Sequence, residues 1–283
     1  MDQPIGVFDS GIGGLSVLKA LRAELPHEDF LYIADSGHAP YGERDEAHVL
    51  ARSRAIVQHL VGQNVKALVI ACNTATAAAI DLLRAEYPEL PIIGVEPALR
   101  PATRLSRTRR IGVLATRSLL SSARFKALHD TLAAQATFVF QPCDGLADAI
   151  ERSTQAMASP ENATEIVAMC ARYTSTMGVF GSKKGEIDCL VLGCTHYPFA
   201  SEQLRALLGP QVQFLDTGAS VARQTRLRLA AAAGAPETRP ATIVQASHLM
   251  GHTTLFCTGQ TASLQAASQR WLQLDTTVEL LRF

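Results

Sequence analysis

Four apolar passages of this chain return later in the same order, and that internal echo limits the available folds more than any other feature. "PIGVFDSG" (Pro4 to Gly11) is answered by "RIGVLATRS" (Arg110 to Ser118), and "DFLYIADS" (Asp29 to Ser36) by "TFVFQPCD" (Thr137 to Asp144). "KALVIACNT" (Lys66 to Thr74) is answered by "DCLVLGCTH" (Asp188 to His196), and "PIIGVEP" (Pro91 to Pro97) by "VQFLDTG" (Val212 to Gly218). Gly94 lies 22 positions after Cys72, and Asp216 lies 22 after Cys194. Gly6 to Cys72 is 66 positions, whereas Gly112 to Cys194 is 82. The extra length is expected around "TSTMGVFGSKKGE" (Thr174 to Glu186), a Gly/Ser/Lys loop signal.

Each echoed passage is a short run rich in β-branched residues, and amphipathic segments such as Leu15 to Glu24 and Glu46 to Gly62 lie between them. Strand alternating with helix gives a parallel sheet covered on both faces. The expected fold class is therefore α/β: two similar Rossmann-like α/β domains with mostly parallel sheets, related by a pseudo-twofold duplication, with the active site in the cleft between them. Residues 1–98 plus 213–283 are expected to form the first domain and 99–212 the second. With 283 residues, 47% of them hydrophobic, the chain has the material for two cores.

In open parallel sheets ligands bind beyond the carboxyl ends of the strands. Asp9, Cys72, Thr116 and Cys194 fall at such ends, and two facing halves would set Cys72 and Cys194 across one cleft. Each of these cysteines opens a polar loop, "CNTATA" and "CTHYP", where Asn73, Thr74, Thr195 and His196 offer donors and acceptors as the chain turns into a helix. Backbone N–H groups at such a turn favour a thiolate and a bound carboxylate. Cys143, Cys170, Cys189 and Cys257 read as small buried hydrophobes. No CxxC pair occurs, and the scatter of the six cysteines fits reduced thiols in a cytosolic protein.

Two thiols on opposite sides of a cleft suit the removal of a proton from one face of a carbon and its return to the other. A free thiol ionises near pH ~8.5, so either form is reachable with modest tuning. A redox pair would need the sulfurs in contact. A protease or amidase needs one Cys with a His and an oxyanion hole, a reading that His196 keeps open. The "FDSGIGG" loop (Phe8 to Gly14) turns like a phosphate loop, but Asp9 would repel a phosphate and no Lys follows as in GxxxxGK[ST]. A zwitterionic amino acid fits that loop better, its ammonium meeting Asp9.

Lys plus Arg and Asp plus Glu number 26 each, which argues against nucleic acid or an anionic membrane as partner. The N-terminus lacks a basic segment followed by an apolar one, and no apolar run reaches the length of a membrane span. His38, His48, His248 and His252 are expected at the surface or in structural roles, and no His/Cys cluster has metal spacing.

Taken together, "DSGIGGLSVL", "HAPYG", "ACNTATA", "GVEPA", "LGCTHYP" and "DTG" resemble the glutamate racemases of the aspartate/glutamate racemase superfamily. The resemblance runs over nearly the whole chain, including the C-terminal "FCTGQTASLQAASQRWL". It implies interconversion of L- and D-glutamate by two bases, with no pyridoxal phosphate, metal or other cofactor. It also implies a cytoplasmic homodimer supplying D-glutamate for peptidoglycan. Carried over by position, Cys72 would serve the D-substrate's α-proton and Cys194 the L-substrate's, with Asp9 assisting Cys72 and His196 assisting Cys194. Glu151, at the end of "CDGLADAIE", matches a third auxiliary acid. Ser10, Tyr41, Gly42, Asn73, Thr74 and Thr195 match substrate-binding positions, and Thr116 is a further candidate.

Two stretches depart from the family pattern. The second half reads "ATRSLL" (Ala115 to Leu120) where a Gly-Thr start and a later Thr are expected, so Arg117 and Ser118 leave the contacts there open. "MGVFGSKKG" (Met177 to Gly185) matches no family motif and reads as a solvated loop, with Lys183 and Lys184 able to meet a subunit or regulator. The rival readings are an aspartate racemase or another two-thiol epimerase, and a non-catalytic amino-acid-binding protein. One-thiol decarboxylases of the superfamily are disfavoured because both cysteines are present.

Overall fold

The strand β1 (Ile5–Asp9) is buried along its whole length and takes β2 (Phe30–Ala34) and β3 (Ala67–Ile70) as parallel neighbours. This computed structural model describes residues 3–155, 160–232, 234 and 250–283. β4 (Ile92–Gly94) joins beyond β3, while β9 (Thr253–Cys257) and β10 (Val278–Leu280) extend the opposite edge. The order is β10-β9-β2-β1-β3-β4, parallel throughout. A second parallel sheet holds β5 (Arg110–Ala115), β6 (Thr137–Pro142), β7 (Cys189–Leu192) and β8 (Gln213–Leu215), in the order β6-β5-β7-β8.

The duplication expected from the echo is visible in this topology. The segment β2-β1-β3-β4 and the whole second sheet have the same chain order. Their registers agree as well: Gly6 stands opposite Leu68 and Gly112 opposite Leu190, and each of these leucines lies four residues before a cleft cysteine. Among the described residues, β9 and β10 have no counterpart in the second sheet.

Helices α1 (Leu15–Glu24), α2 (Glu46–Gly62) and α3 (Asn73–Glu86) connect the strands of the first sheet. Asp45 caps α2 by accepting a hydrogen bond from the His48 backbone N–H at 2.7 Å. The second half carries α4 (Leu99–Leu105), α5 (Arg117–Ser121), α6 (Ala123–Asp130), α7 (Leu146–Gln155), α8 (Pro160–Ser175) and α9 (Ser201–Leu208). Where the first half spends α2 between its second and third strands, the second half spends both α7 and α8. The extra length is thus shared between an added helix and the loop after α8, where Phe180 bridges Ile187, and is not confined to the loop.

The chain crosses between sheets twice, at 95–98 before α4 and at 216–218 before α10 (Gly218–Ala232). α10 packs on α1, and α11 (Thr261–Leu272) packs on α7. A cut at 212 would separate β8 from its partner β7, because Gln213 pairs with Cys189; the return crossing lies after Leu215. One apolar core joins the halves, running from Val7, Leu18 and Tyr32 to Leu190, Leu192 and Tyr197. Phe199 stacks on Trp271 across the same seam with ring centroids 4.6 Å apart. The buried face leaves the strand ends as the open side, which is where the site forms. His248 lies outside the described residues. Among the described residues no helix is long and apolar enough to cross a membrane.

Candidate active site

Cys72 and Cys194 line one cleft, each reached from the end of the third strand of its sheet. Cys72 is the N-cap of α3, and its Sγ accepts from the Ala75 backbone N–H at 3.4 Å. Ser10 Oγ lies 3.9 Å from the same sulfur. Burial pushes the Cys72 thiol well up, the Asp9 carboxylate adds to the rise, and the Ala75 N–H opposes it.

Asp9 stands behind Cys72 and is fully buried. Its Oδ2 accepts from Gly14 N–H at 2.8 Å and Gly11 N–H at 3.3 Å, while its Oδ1 has no hydrogen-bond partner among the described residues. Burial raises its pKa, against the pull of His196 and the Gly14 N–H. Asp9 is not among the residues lining the cleft, so its side chain faces the thiol and the loop rather than an open binding surface.

Cys194 has a different set of neighbours. Its Sγ lies 3.6 Å from His196 Nδ1, and His196 Nε2 lies 2.7 Å from Glu151 Oε1 on α7. The Ile12 backbone N–H donates to the same Glu151 oxygen at 2.7 Å. Burial pulls the His196 pKa down, but hydrogen bonds to Cys194 and Glu151, with their charges, outweigh it and hold the imidazole well above its ordinary value. An imidazolium donates from both ring nitrogens, which matches a sulfur on one side and a carboxylate on the other.

The glycine loop owes its composition to the Cys194–His196–Glu151 series of contacts. A Cβ built on Gly11 would lie 2.7 Å from Glu151 Cδ, and one on Gly13 would lie 2.5 Å from His196 Cε1 and 2.6 Å from Thr195 Oγ1. The loop lets two halves of the protein approach backbone to side chain, a role the reading as a bare tight turn does not include. Ser16 Oγ then donates to the Thr195 carbonyl at 2.9 Å, sewing α1 to the second cysteine loop.

The remaining candidates gather around the same cleft. Ser10, Tyr41, Gly42, Asn73, Thr74, Thr116, Thr195 and His196 all line it. Both side-chain polar atoms of Asn73 are buried without a partner. Thr116 Oγ1 caps α5 by accepting from Leu119 N–H and lies 3.3 Å from Thr74 Oγ1, so the two halves meet there through hydroxyls. Glu151, like Asp9, stands one layer behind the cleft.

Sequence reasoning missed several lining residues. Asp144 pairs at the mouth with Arg117, which the sequence leaves open, Nη2 to Oδ2 at 2.6 Å, and Glu43 follows the "PYG" turn. Cys143 is buried, as read, yet it also lines the cleft, and burial pushes its thiol up. It directly follows β6, so the strand-end rule that selected Cys72 and Cys194 applies to it equally. Ser118 does not line the cleft. Among the described residues no group of three His, Cys, Asp or Glu side chains is arranged to hold a metal ion.

The family model described as Asp/Glu/Hydantoin racemase matches residues 13–225. The chain is 48% identical over 222 residues to a glutamate racemase of Ectopseudomonas mendocina, covering 78% of this chain and 80% of that one. It is 45% identical over 229 residues to a glutamate racemase of Pseudomonas aeruginosa, covering 81% and 82%. Among solved structures it is similar to a glutamate racemase isoform of Bacillus anthracis, with TM-score 0.80, 29% identity, and 99% and 98% of the two chains covered. An Escherichia coli glutamate racemase in complex with L-glutamate and an activator gives TM-score 0.78 at 29% identity, with 99% and 98% covered. The fold, the paired cysteine loops and these likenesses agree, and the chain belongs to the Asp/Glu/Hydantoin racemase family, within its glutamate racemase group of isomerases.

Proposed function

We propose that this protein interconverts L- and D-glutamate by two-base proton transfer, Cys194 serving the L-substrate's α-proton and Cys72 the D-substrate's. One observation carries the reading: two thiols at register-equivalent strand ends line a single cleft, each backed by a different auxiliary group.

The local chemistry supports a definite division of labour. Cys72, its pKa raised by burial and by Asp9, rests as a thiol and is the proton donor when L-glutamate enters. Cys194 lies against the His196 imidazolium, which stabilises negative charge on sulfur through the Nδ1 contact. The Cys194 sulfur takes the α-proton, and the electron pair of the broken C–H bond moves into the α-carboxylate. The Cys72 S–H then delivers its proton to the opposite face, and the Ala75 N–H and Ser10 hydroxyl hold the thiolate left behind. Asp9, drawn toward its protonated form by burial, can return a proton to Cys72. His196 and Glu151 do the corresponding work for Cys194.

An amino acid's α-proton is very weakly acidic because its carboxylate already carries charge, so donors to that carboxylate must strengthen as the proton leaves. The unpartnered Asn73 amide, with the Thr74 and Thr195 hydroxyls, is suited to this task, since buried polar groups rarely stay unsatisfied. Tyr41, Gly42 and Thr116 would complete substrate binding. Closure about the crossings at 95–98 and 216–218 would exclude water and strengthen these contacts. We further infer from the resemblance that the product feeds peptidoglycan synthesis, that the enzyme works as a cytoplasmic homodimer, and that the reaction uses no cofactor.

The test is incubation of the purified protein with L-glutamate in deuterated water, with L-aspartate alongside, following circular dichroism and α-deuterium incorporation. Racemisation with deuterium gain is expected for glutamate. Exchange with aspartate alone would reassign the substrate, and no exchange with either would overturn the racemase reading.

A further inference from the structure

Tyr41 lines the cleft, yet its hydroxyl is committed elsewhere. It donates at 2.5 Å to Oδ2 of Asp35, a fully buried carboxylate that lies outside the cleft lining. Arg52 holds the same carboxylate with two prongs, Nε to Oδ2 at 2.9 Å and Nη2 to Oδ1 at 2.8 Å. Thr258 Oγ1 donates to Oδ1 at 2.7 Å, and His38 Nδ1 lies 3.1 Å from that oxygen. The backbone N–H of Asp35 donates to the Asp9 carbonyl at 2.9 Å.

A carboxylate is rarely buried unless it is paired and hydrogen-bonded, and an ion pair with Arg52 alone would meet the charge. Asp35 has more than that. It joins the end of β2, the 3-10 turn Tyr41–Glu43, helix α2 through Arg52, and the loop between β9 and α11 through Thr258. Of these partners only Tyr41 is also a residue lining the cleft.

We propose that Asp35 is a positioning residue for substrate binding, holding Tyr41 and with it the Pro40–Gly42 wall of the cleft against the rear of the sheet. The inference rests on the reading of glutamate as substrate. That wall carries no group that moves a proton, and its part in the proposal is to bind the substrate alike before and during proton transfer. Interactions of that kind appear in KM rather than in kcat.

The experiment measures glutamate racemisation kinetics for Tyr41→Phe, Asp35→Asn and the double variant, with circular dichroism to verify folding. Tyr41→Phe, which removes only the link, is expected to raise KM about tenfold while lowering kcat much less. Asp35→Asn should raise KM at least as far, and adding it to Tyr41→Phe should raise KM further by much less than its effect alone, because both act through one contact. An unchanged KM in Tyr41→Phe, a fall confined to kcat, or KM effects that multiply in the double variant would each overturn the inference. Should Asp35→Asn fail to fold, Tyr41→Phe alone still decides it. Absence of glutamate turnover by the unaltered protein fails the substrate reading, whereas turnover with an unshifted KM in Tyr41→Phe fails this inference only.

Discussion

Gly13→Ala offers a test of the loop's function because the added methyl would meet His196 and Thr195 at once. Its Cβ would lie 2.5 Å from His196 Cε1, whereas non-bonded carbons settle at about 3.5 Å. The imidazole must therefore move by roughly 1 Å. It has no slack in the other direction, since Nε2 is held 2.7 Å from Glu151, and Glu151 is held at 2.7 Å by Ile12 N–H of the same loop. A misplacement of about 1 Å in a catalytic group costs on the order of 100-fold in rate, or about 2.7 kcal/mol of transition-state stabilisation. Racemisation of glutamate by Gly13→Ala, followed by circular dichroism, should fall by about that factor. The fall must be equal in kcat/KM for both directions, because mirror-image substrates have an equilibrium constant of one. One-sided chemistry separates the halves: a glutamate analogue with chloride on its β carbon needs only one base, since loss of the α-proton expels the chloride. Elimination from the L-analogue, which uses Cys194, should fall with racemisation, and elimination from the D-analogue much less. Racemisation within threefold of the parent, or equal losses for both analogues, would refute the view that this glycine exists to seat His196.

Other consequences of the geometry can be measured in the same way. Cys72→Ala and Cys194→Ala should each abolish racemisation, with Cys194→Ala keeping elimination from the D-analogue and Cys72→Ala from the L-analogue; full turnover by either would remove the two-base mechanism. Glu151→Gln leaves the shape of the His196 contact but removes the charge, so the His196 pKa should drop toward its ordinary value and the basic limb of the pH–rate profile should move to lower pH. Its stability effect has a defined sign. A histidine raised in the folded state contributes stability fully below its unfolded pKa of ~6.5, and loses it as pH rises through the native value. The melting-temperature gap between parent and Glu151→Gln should accordingly narrow as pH rises through that native value, starting from a loss of roughly 3–5 kcal/mol for breaking a buried pair.

The sheets were legible in the sequence because strand-forming runs repeat with their spacing intact. Gly6 and Gly112 even keep equivalent registers against Leu68 and Leu190. Strand ends carry ligands for a topological reason, so Asp9, Cys72, Thr116 and Cys194 could be found from order alone. What periodicity does not encode is direction of approach. The glycine loop read as a turn, because nothing local in "GIGG" says that Glu151, from a helix well over a hundred residues away, will lie against it. Cys143 was set aside for the same reason, since burial and cleft exposure are compatible for a side chain at a strand end. Asp35 is adjacent to a motif in sequence, but its importance lies in partners drawn from α2 and from beyond β9, which only the fold assembles. Access to the cleft, not burial, separates Asp9, which is buried behind it, from Ser10, which is also buried but lines the cleft one residue later.

A duplicated scaffold sets two sulfurs in equivalent places, yet a proton can cross a carbon only if one sulfur is bare when the other is not. Symmetry must therefore be broken by residues that differ between the halves, and here it is broken by the groups behind each thiol. Behind Cys72 stands a carboxyl, Asp9, whose pKa burial raises and whose charge, while it is ionised, raises the thiol. Behind Cys194 stands an imidazole that Glu151 holds toward the charged state. Glu151 comes from α7, one of the two helices that the second half places where the first half has α2. That connection delivers the acid that makes the second thiol's surroundings unlike the first. The glycine loop belongs to the first half but is shaped to fit that acid and its histidine, so the two halves are complementary at the site while remaining copies in their sheets.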